Sequence, residues 1–348
     1  MLTIMFNGKL RLLFLLAFLA TLSIIAPHEK ALAEEGCITA QCHSTLLGAK
    51  NIHPAAESCD NCHQSQLTPH PQAKIKTFRL SQEPPDLCAT CHEPFGKKTD
   101  IHPPVKDGMC TSCHNPHASD VPKLLLQPVN DLCLTCHFEM SEIIDKSKTV
   151  HAPIKTEKGC VSCHSPHESD HDKLLLKTGK ELCLECHKNI IKKSMTVLHG
   201  PINSGTCTAC HNPHGSPEAR LLIKSFPSDL YVPYTETTYE LCFTCHKREL
   251  LSSPNTSSAT GFRDGDVNLH FLHVNREKGR SCKVCHDLHG SALPKLINAT
   301  TPFSQWQLPL NFEKTDTGGS CTPGCHKTYY YDRITPGKGP SAVKPGTK

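Results

Sequence analysis

The 22 cysteines of this 348-residue chain fall into eleven pairs, and a histidine follows each pair directly. Nine pairs have the form CxxCH: Cys59/Cys62, Cys88/Cys91, Cys110/Cys113, Cys133/Cys136, Cys160/Cys163, Cys183/Cys186, Cys207/Cys210, Cys242/Cys245 and Cys282/Cys285. Two pairs are stretched, Cys37/Cys42 and Cys321/Cys325. Two thiols a short turn apart can each add to a haem vinyl group as thioethers, and the next residue then sits under the iron as an imidazole ligand. The pattern therefore predicts c-type haem attachment, with His43, His63, His92, His114, His137, His164, His187, His211, His246, His286 and His326 as proximal ligands. A disulfide framework would place no demand on the residue after each pair. Zinc ribbons would leave the adjacent histidines without a role. A thioredoxin-like motif would occur once, beside a βαβ pattern that this chain lacks.

Twelve further histidines are candidates for the opposite face of each iron: His53, His70, His102, His117, His151, His167, His171, His199, His214, His270, His273 and His289. An iron closed by two imidazoles passes electrons, whereas one left open can bind and reduce a small molecule. The near match between twelve and eleven predicts bis-histidine ligation, with His171 and one of His270 or His273 as spares. Three residues reach only about 10 Å when extended. His117, His167 and His214 therefore cannot cap the haem of the motif just before them, and must serve a neighbouring one. His326 has no histidine after it and is the expected place for an open site.

These residues are positioned by an internal repeat. A half repeat over 34–52 precedes units at 53–92, 102–137, 151–187, 199–246 and 270–326. Each unit has a leading histidine, a first haem motif and a closing haem motif, and the last four also have a second histidine three residues after the first motif and a short apolar patch such as Leu124–Leu126 or Leu174–Leu176. Pro116, Pro166 and Pro213 bias the residue before them away from helix, so the first motif should be a single helical turn. The closing motifs at His137, His187 and His246 lack that proline and can run on as short helices through FEMSEIIDK, KNIIKKS and KRELLSS.

The fold class expected is mostly irregular with short α-helices, an extended repeat array of covalently bound haems with little or no β-sheet. Prolines (27) and glycines (20) break up regular structure, and hydrophobic residues make up only 37%. The porphyrins would have to serve as the core. Residues 327–348 read as a disordered tail.

Residues 1–33 read as a secretory signal: Lys9 and Arg11, an apolar run from Leu12 to Ala26, and Ala31-Leu32-Ala33 before Glu34. Cleavage leaves about +2 of the formal +4, and eleven haems with ionised propionates would bring the oxidised holoprotein to about −9. Nucleic acid is not an expected partner, because no dense basic stretch carries interleaved aromatics. After signal removal no segment is long enough to span a bilayer.

The CHNPH, CHSPH and CHNPHGS stretches at His114, His164 and His211, paired with LCLTCH, LCLECH and LCFTCH at Leu132, Leu182 and Leu241, resemble the doubled-CxxCH multihaem c-type cytochromes. The two stretched motifs and the eleventh haem depart from the related ten-haem cytochromes of outer-membrane porin conduits. The resemblance implies about eleven haem c groups and electron transfer in the cell envelope or outside it, in anaerobic respiration or extracellular electron transfer. Implied partners are other cytochromes, quinol-oxidising membrane complexes or an outer-membrane conduit. The expected role is electron carrier more than enzyme. The alternatives are a multihaem reductase with an open haem and a polymerising haem-filament subunit. No CxxCK motif of the reductase kind is present.

Overall fold

The computed structural model describes residues 37–39, 42–72 and 74–337. The predicted signal sequence lies outside them. Within the described residues, one compact unit takes those up to Glu83 together with His114–Leu126. The other takes Pro84–Cys113 and those from Gln127 on. The division runs through the predicted repeats 53–92 and 102–137, because the segment after His114 exchanges strand pairing with the repeat before it.

That exchange is the main device of the fold. The residues ahead of four leading histidines form a two-residue strand that pairs, antiparallel, with the residues after the second histidine of the next repeat. Asn51–Ile52 pairs with Ala118–Ser119, Asp100–Ile101 with Glu168–Ser169, Thr149–Val150 with Gly215–Ser216, and Val197–Leu198 with Gly290–Ser291. Each clip is continued by one main-chain bond between histidines. His53 N–H donates to His117 O (2.8 Å), His102 to His167 (2.9 Å), His151 to His214 (3.2 Å) and His199 to His289 (3.0 Å).

Helices are short, the longest of those described being Phe138–Lys146 with nine residues. First motifs are single turns at Cys59–Asn61, Cys110–Ser112, Gly159–Ser162, Cys207–Ala209 and Cys282–Cys285. In three of them the following proline forbids a further turn. Closing motifs sit on or beside short helices such as Val129–Leu134 and Gly179–Cys186. The expected continuations form at Phe138–Lys146 and Glu249–Ser252, whereas KNIIKKS takes turns and bends instead.

The small strand pairs are compatible with little β-sheet, with more sheet at the C-terminal end than the composition suggested. A hairpin joins Thr300–Phe303 to Trp306–Pro309, and a three-stranded antiparallel sheet joins Phe312–Lys314, Gly318–Cys321 and Tyr329–Asp332. Gly318 and Gly319 are required there, since a Cβ on Gly318 would lie 1.8 Å from Tyr331 O. The tail expected to be disordered from Lys327 is therefore corrected: it is ordered through Gly337. Asp264 accepts hydrogen bonds from Tyr329 Oη (3.0 Å), Asp332 N (3.1 Å) and Gly337 N (2.9 Å). Residues 338–348 lie outside the described residues.

The apolar core is small, as a composition poor in hydrophobic residues dictates. It centres on Tyr239, Leu251 and Val274, with Phe226, Tyr234 and Leu250 packed around them.

Candidate haem attachment site

Each motif turn presents its two cysteines and histidine from one short segment. The structure adds contacts between motifs. The first cysteine of a closing motif meets the first cysteine of the next motif in the chain: Cys37 with Cys59, Cys133 with Cys160, Cys183 with Cys207 and Cys242 with Cys282. The Cys133 thiol donates to Cys160, which holds Cys160 down to about 7. Asn130 Oδ1 also accepts from Cys160 N (3.1 Å) and Sγ (3.2 Å), tying the motif to the helix that carries Cys133. Asn130 was not anticipated from the sequence.

The second cysteines take a different place, which the even spacing of the pairs did not reveal. The structure does not bring Cys42, Cys62, Cys91, Cys136 or Cys245 into these contacts between first cysteines. Each instead closes the turn of its own motif through its backbone N–H. Cys62 donates to Cys59 O (3.1 Å), Cys91 to Cys88 O (3.2 Å), Cys136 to Cys133 O (3.3 Å) and Cys245 to Cys242 O (3.2 Å). In the stretched motif, Cys42 N–H reaches Thr39 O (3.2 Å) and Thr39 Oγ1 (3.0 Å), so the wider spacing closes on a residue between the two cysteines. Cys62 is half-buried, whereas Cys42, Cys91, Cys136 and Cys245 are exposed. The hydroxyls of Thr90, Thr135 and Thr244 lie 3.8 Å from the sulfurs of Cys91, Cys136 and Cys245. In a tight turn, residues three apart stand on one face but about 6 Å apart along the axis. One thiol can therefore meet the neighbouring motif while the other stands clear of it.

The histidine rings stand in facing pairs. His43 faces His70, His63 faces His117, His102 faces His137 and His151 faces His187. His164 faces His214, His199 faces His246, His211 faces His289 and His270 faces His286. Ring centres are separated by 5.9 Å at His43/His70 and by up to 6.4 Å at His270/His286, with planes within 21° of parallel. This is too far for van der Waals contact between rings, which needs about 3.5–4.0 Å between atoms. With metal–imidazole bonds of about 2 Å on either side, a shared iron would hold the ring centres about 6 Å apart.

The hydrogen bonds leave the correct nitrogen free. His114, His164, His211 and His286 donate from Nδ1 to the carbonyls of Lys123 (2.9 Å), Lys173 (2.8 Å), Arg220 (2.9 Å) and Lys295 (2.9 Å). His102 and His151 donate from Nδ1 to the carbonyls of Pro166 (3.0 Å) and Pro213 (2.9 Å). A carbonyl can only accept, so the proton is on Nδ1 and the Nε2 lone pair is available to a metal. His70 and His270 meet Thr77 Oγ1 (2.6 Å) and Thr260 Oγ1 (2.9 Å). Burial holds His117, His199, His214 and His289 below the ordinary imidazole value, which keeps these rings neutral. His270 is pushed down to about 3, first by burial and then by the imidazoles of His286 and His273.

The remaining candidates take defined places. His53 and His167 each belong to a strand-clip bond described above. His171 uses its backbone N–H, to Ser169 Oγ at 3.1 Å. His270 and His273 share the helix Leu269–Val274, whose start is capped by the buried Asn268 side chain accepting from His270 N and Phe271 N. His273 Nδ1 donates to Leu269 O at 2.7 Å. His273 is held low by burial first, with Arg280, Arg276 and the imidazole of His326 adding to the effect. The structure thus brings an imidazole to the neighbourhood of His326, from a residue that precedes it in the chain. His326 Nδ1 donates to Lys327 O at 2.6 Å.

Residues 102–142, 151–192 and 199–250 match the doubled CXXCH motif. Over these residues the chain is similar to the doubled CXXCH motif family. No curated protein matches the chain. The motif points to a multihaem c-type cytochrome in electron transfer, and its cysteines imply covalently attached haem c. The paired rings, the free Nε2 positions and the adjacent thiols fit that group. When bound, haem c supplies a one-electron ferric/ferrous couple. The cysteine thiols would hold it covalently, and the imidazoles anchored through Nδ1 would present Nε2 to its metal. Among the described residues, no helix is long and apolar enough to cross a membrane.

Proposed function

We propose that the chain carries eleven haems, each closed by two histidines, and conducts electrons along them. The observation that carries this reading is an unbroken alternation of links within the larger unit. The sites of His137 and His164 are joined by the Cys133–Cys160 contact. Those of His164 and His187 are joined by the main-chain bond between their facing histidines, His214 and His151. Cys183–Cys207 and His199–His289 extend the series to His211 and His246. Cys242–Cys282 brings in His286, and the helix bearing His270 and His273 leads to His326. Each site in this series has a neighbour tied to it through one or two residues, which is what hopping between fixed redox centres needs.

Pairing supports conduction over catalysis. Two facing imidazoles leave an iron no position for substrate, and His273 supplies a second imidazole near His326, where an open site was expected. The protein would work after export, in the periplasm or outside the cell, accepting from and donating to other cytochromes, a quinol-oxidising complex or an outer-membrane conduit. The repeats at 53–92, 102–137, 151–187, 199–246 and 270–326 are then units of the wire. Electron paramagnetic resonance of the oxidised protein tests the reading. Low-spin ferric signals throughout are expected, and a high-spin signal near one haem per chain would sink it.

A further inference from the structure

Four first motifs share a loop that haem attachment does not require. The carbonyl that receives the proximal Nδ1–H belongs in each case to a peptide between two residues in the left-handed region. The φ values are 62° and 57° at Lys123 and Leu124, 59° and 56° at Lys173 and Leu174, 57° and 59° at Arg220 and Leu221, and 60° and 60° at Lys295 and Leu296. A non-glycine residue is strained there, and single residues are the usual limit. Two in succession, recurring in four repeats, must be held by their surroundings.

The holding groups are visible. The residue after each proximal histidine donates its N–H to the leucine carbonyl: Asn115 to Leu124 (2.8 Å), Ser165 to Leu174 (2.7 Å), Asn212 to Leu221 (2.7 Å) and Asp287 to Leu296 (2.8 Å). The hydroxyls of Ser119, Ser169, Ser216 and Ser291 donate to the next carbonyl along, at Leu125, Leu175, Leu222 and Ile297. The same hydroxyls accept the N–H of Val121, His171, Glu218 and Leu293. The side chains of Lys123, Lys173, Arg220 and Lys295 are exposed. The loop therefore aims a carbonyl, and not a charge, at the histidine. His63 provides a contrast, since its chain continues instead as the strand His63–Ser65 against Phe78–Leu80.

We propose that this strained Lys/Arg–Leu bracket sets the reduction potentials of the haems at His114, His164, His211 and His286. An acceptor on Nδ1–H raises the basicity of Nε2. The more basic ligand favours the ferric state and lowers the potential. Lys173 and its counterparts are positioning residues in this sense. The inference rests on the haem reading above.

Potentiometric titration of the full holoprotein tests it through two variants. In Lys173→Pro the ring fixes φ negative, so the carbonyl must turn away, and one haem's share of the amplitude is expected to move to higher potential. In Lys173→Gly the left-handed conformation is retained without strain, and the titration is expected to stay in place although the side-chain charge is gone. An unmoved titration in Lys173→Pro at the parent haem mass overturns the proposal, as does an equal shift in both variants. If proline at position 173, or equally at 123, 220 or 295, prevents haem loading, the parent protein decides. The Nδ1–H protons of the four histidines in the reduced, 15N-histidine-labelled protein should exchange slowly with solvent, and exchange as fast as exposed imidazole N–H overturns the proposal. A parent protein with no haem mass would instead remove the haem reading itself, which distinguishes the two failures.

Discussion

His214 faces His164 with ring centres 6.3 Å apart and planes within 13°, although it lies only three residues after His211. His211 in turn faces His289. The short turn between His211 and His214 therefore joins two facing pairs of rings, each histidine belonging to a different pair.

This relationship predicts which iron is opened by a mutation. His214→Ala should leave haem content unchanged, because the thioether cysteines are untouched. It should convert about one haem per chain to high-spin ferric iron, measured by electron paramagnetic resonance. The added His164→Ala change should then cost no second low-spin centre. Loss of two centres in the double variant would contradict the pairing of His214 with His164.

Holoprotein mass counts the sites. Eleven haem increments are expected if the stretched motifs, Cys37 with Cys42 and Cys321 with Cys325, are both loaded. Nine would mean that only the strict CxxCH motifs take haem.

The helix Leu269–Val274 depends on Asn268, whose side chain accepts from two backbone N–H groups and donates to Leu250 O and Ser253 O, both at 3.0 Å. Asn268→Ala should cost about 1–2 kcal/mol for the lost cap, with a further ~1–3 kcal/mol for buried carbonyls left without a donor. A lowered denaturant midpoint is expected, together with weakened ligation at His270 and His273. An unchanged midpoint would show that the cap is dispensable.

The C-terminal segment should resist acid. Asp332 is held down to about 2, first by the Thr317 hydroxyl and then by the backbone N–H groups of Thr335 and Ile334. Its folded value is depressed, so its contribution is complete above the unfolded carboxylate range near 4 and is lost as pH falls through about 2. Amide exchange over residues 329–337 should remain slow at pH 3 and accelerate below 2. In Asp332→Asn it should be faster than in the parent at neutral pH. A transition centred near pH 4 in the parent would rule out the clasp.

Much of the site was legible because the chemistry is local. A thioether pair and its proximal imidazole lie within a few residues, so their spacing survives any tertiary arrangement. The exclusion of His117 and His214 from their own motifs was also legible, from chain reach alone. The unequal places of Cys133 and Cys136 were not, because only the approach of Cys160 distinguishes the two thiols. The strand clips were hidden too, since a two-residue ladder has no period to read. The same limit hid the sheet of Gly318–Cys321, where glycines and Tyr331 complement one another only after folding. Leu124–Leu126 and Leu174–Leu176 read as apolar patches, yet their backbone conformation proved more informative than their side chains.

Sequence by itself determined that this chain bears eleven Cys–Cys–His motifs and a series of further histidines at repeating positions, because each motif is a property of a single turn. Tertiary structure decided which histidine faces which. The partner of His164 lies fifty residues away, and that of His211 almost eighty. They are brought opposite by ladders and main-chain bonds between successive repeats, whose energy comes from backbone groups that are identical in every residue and so leave no mark in the sequence.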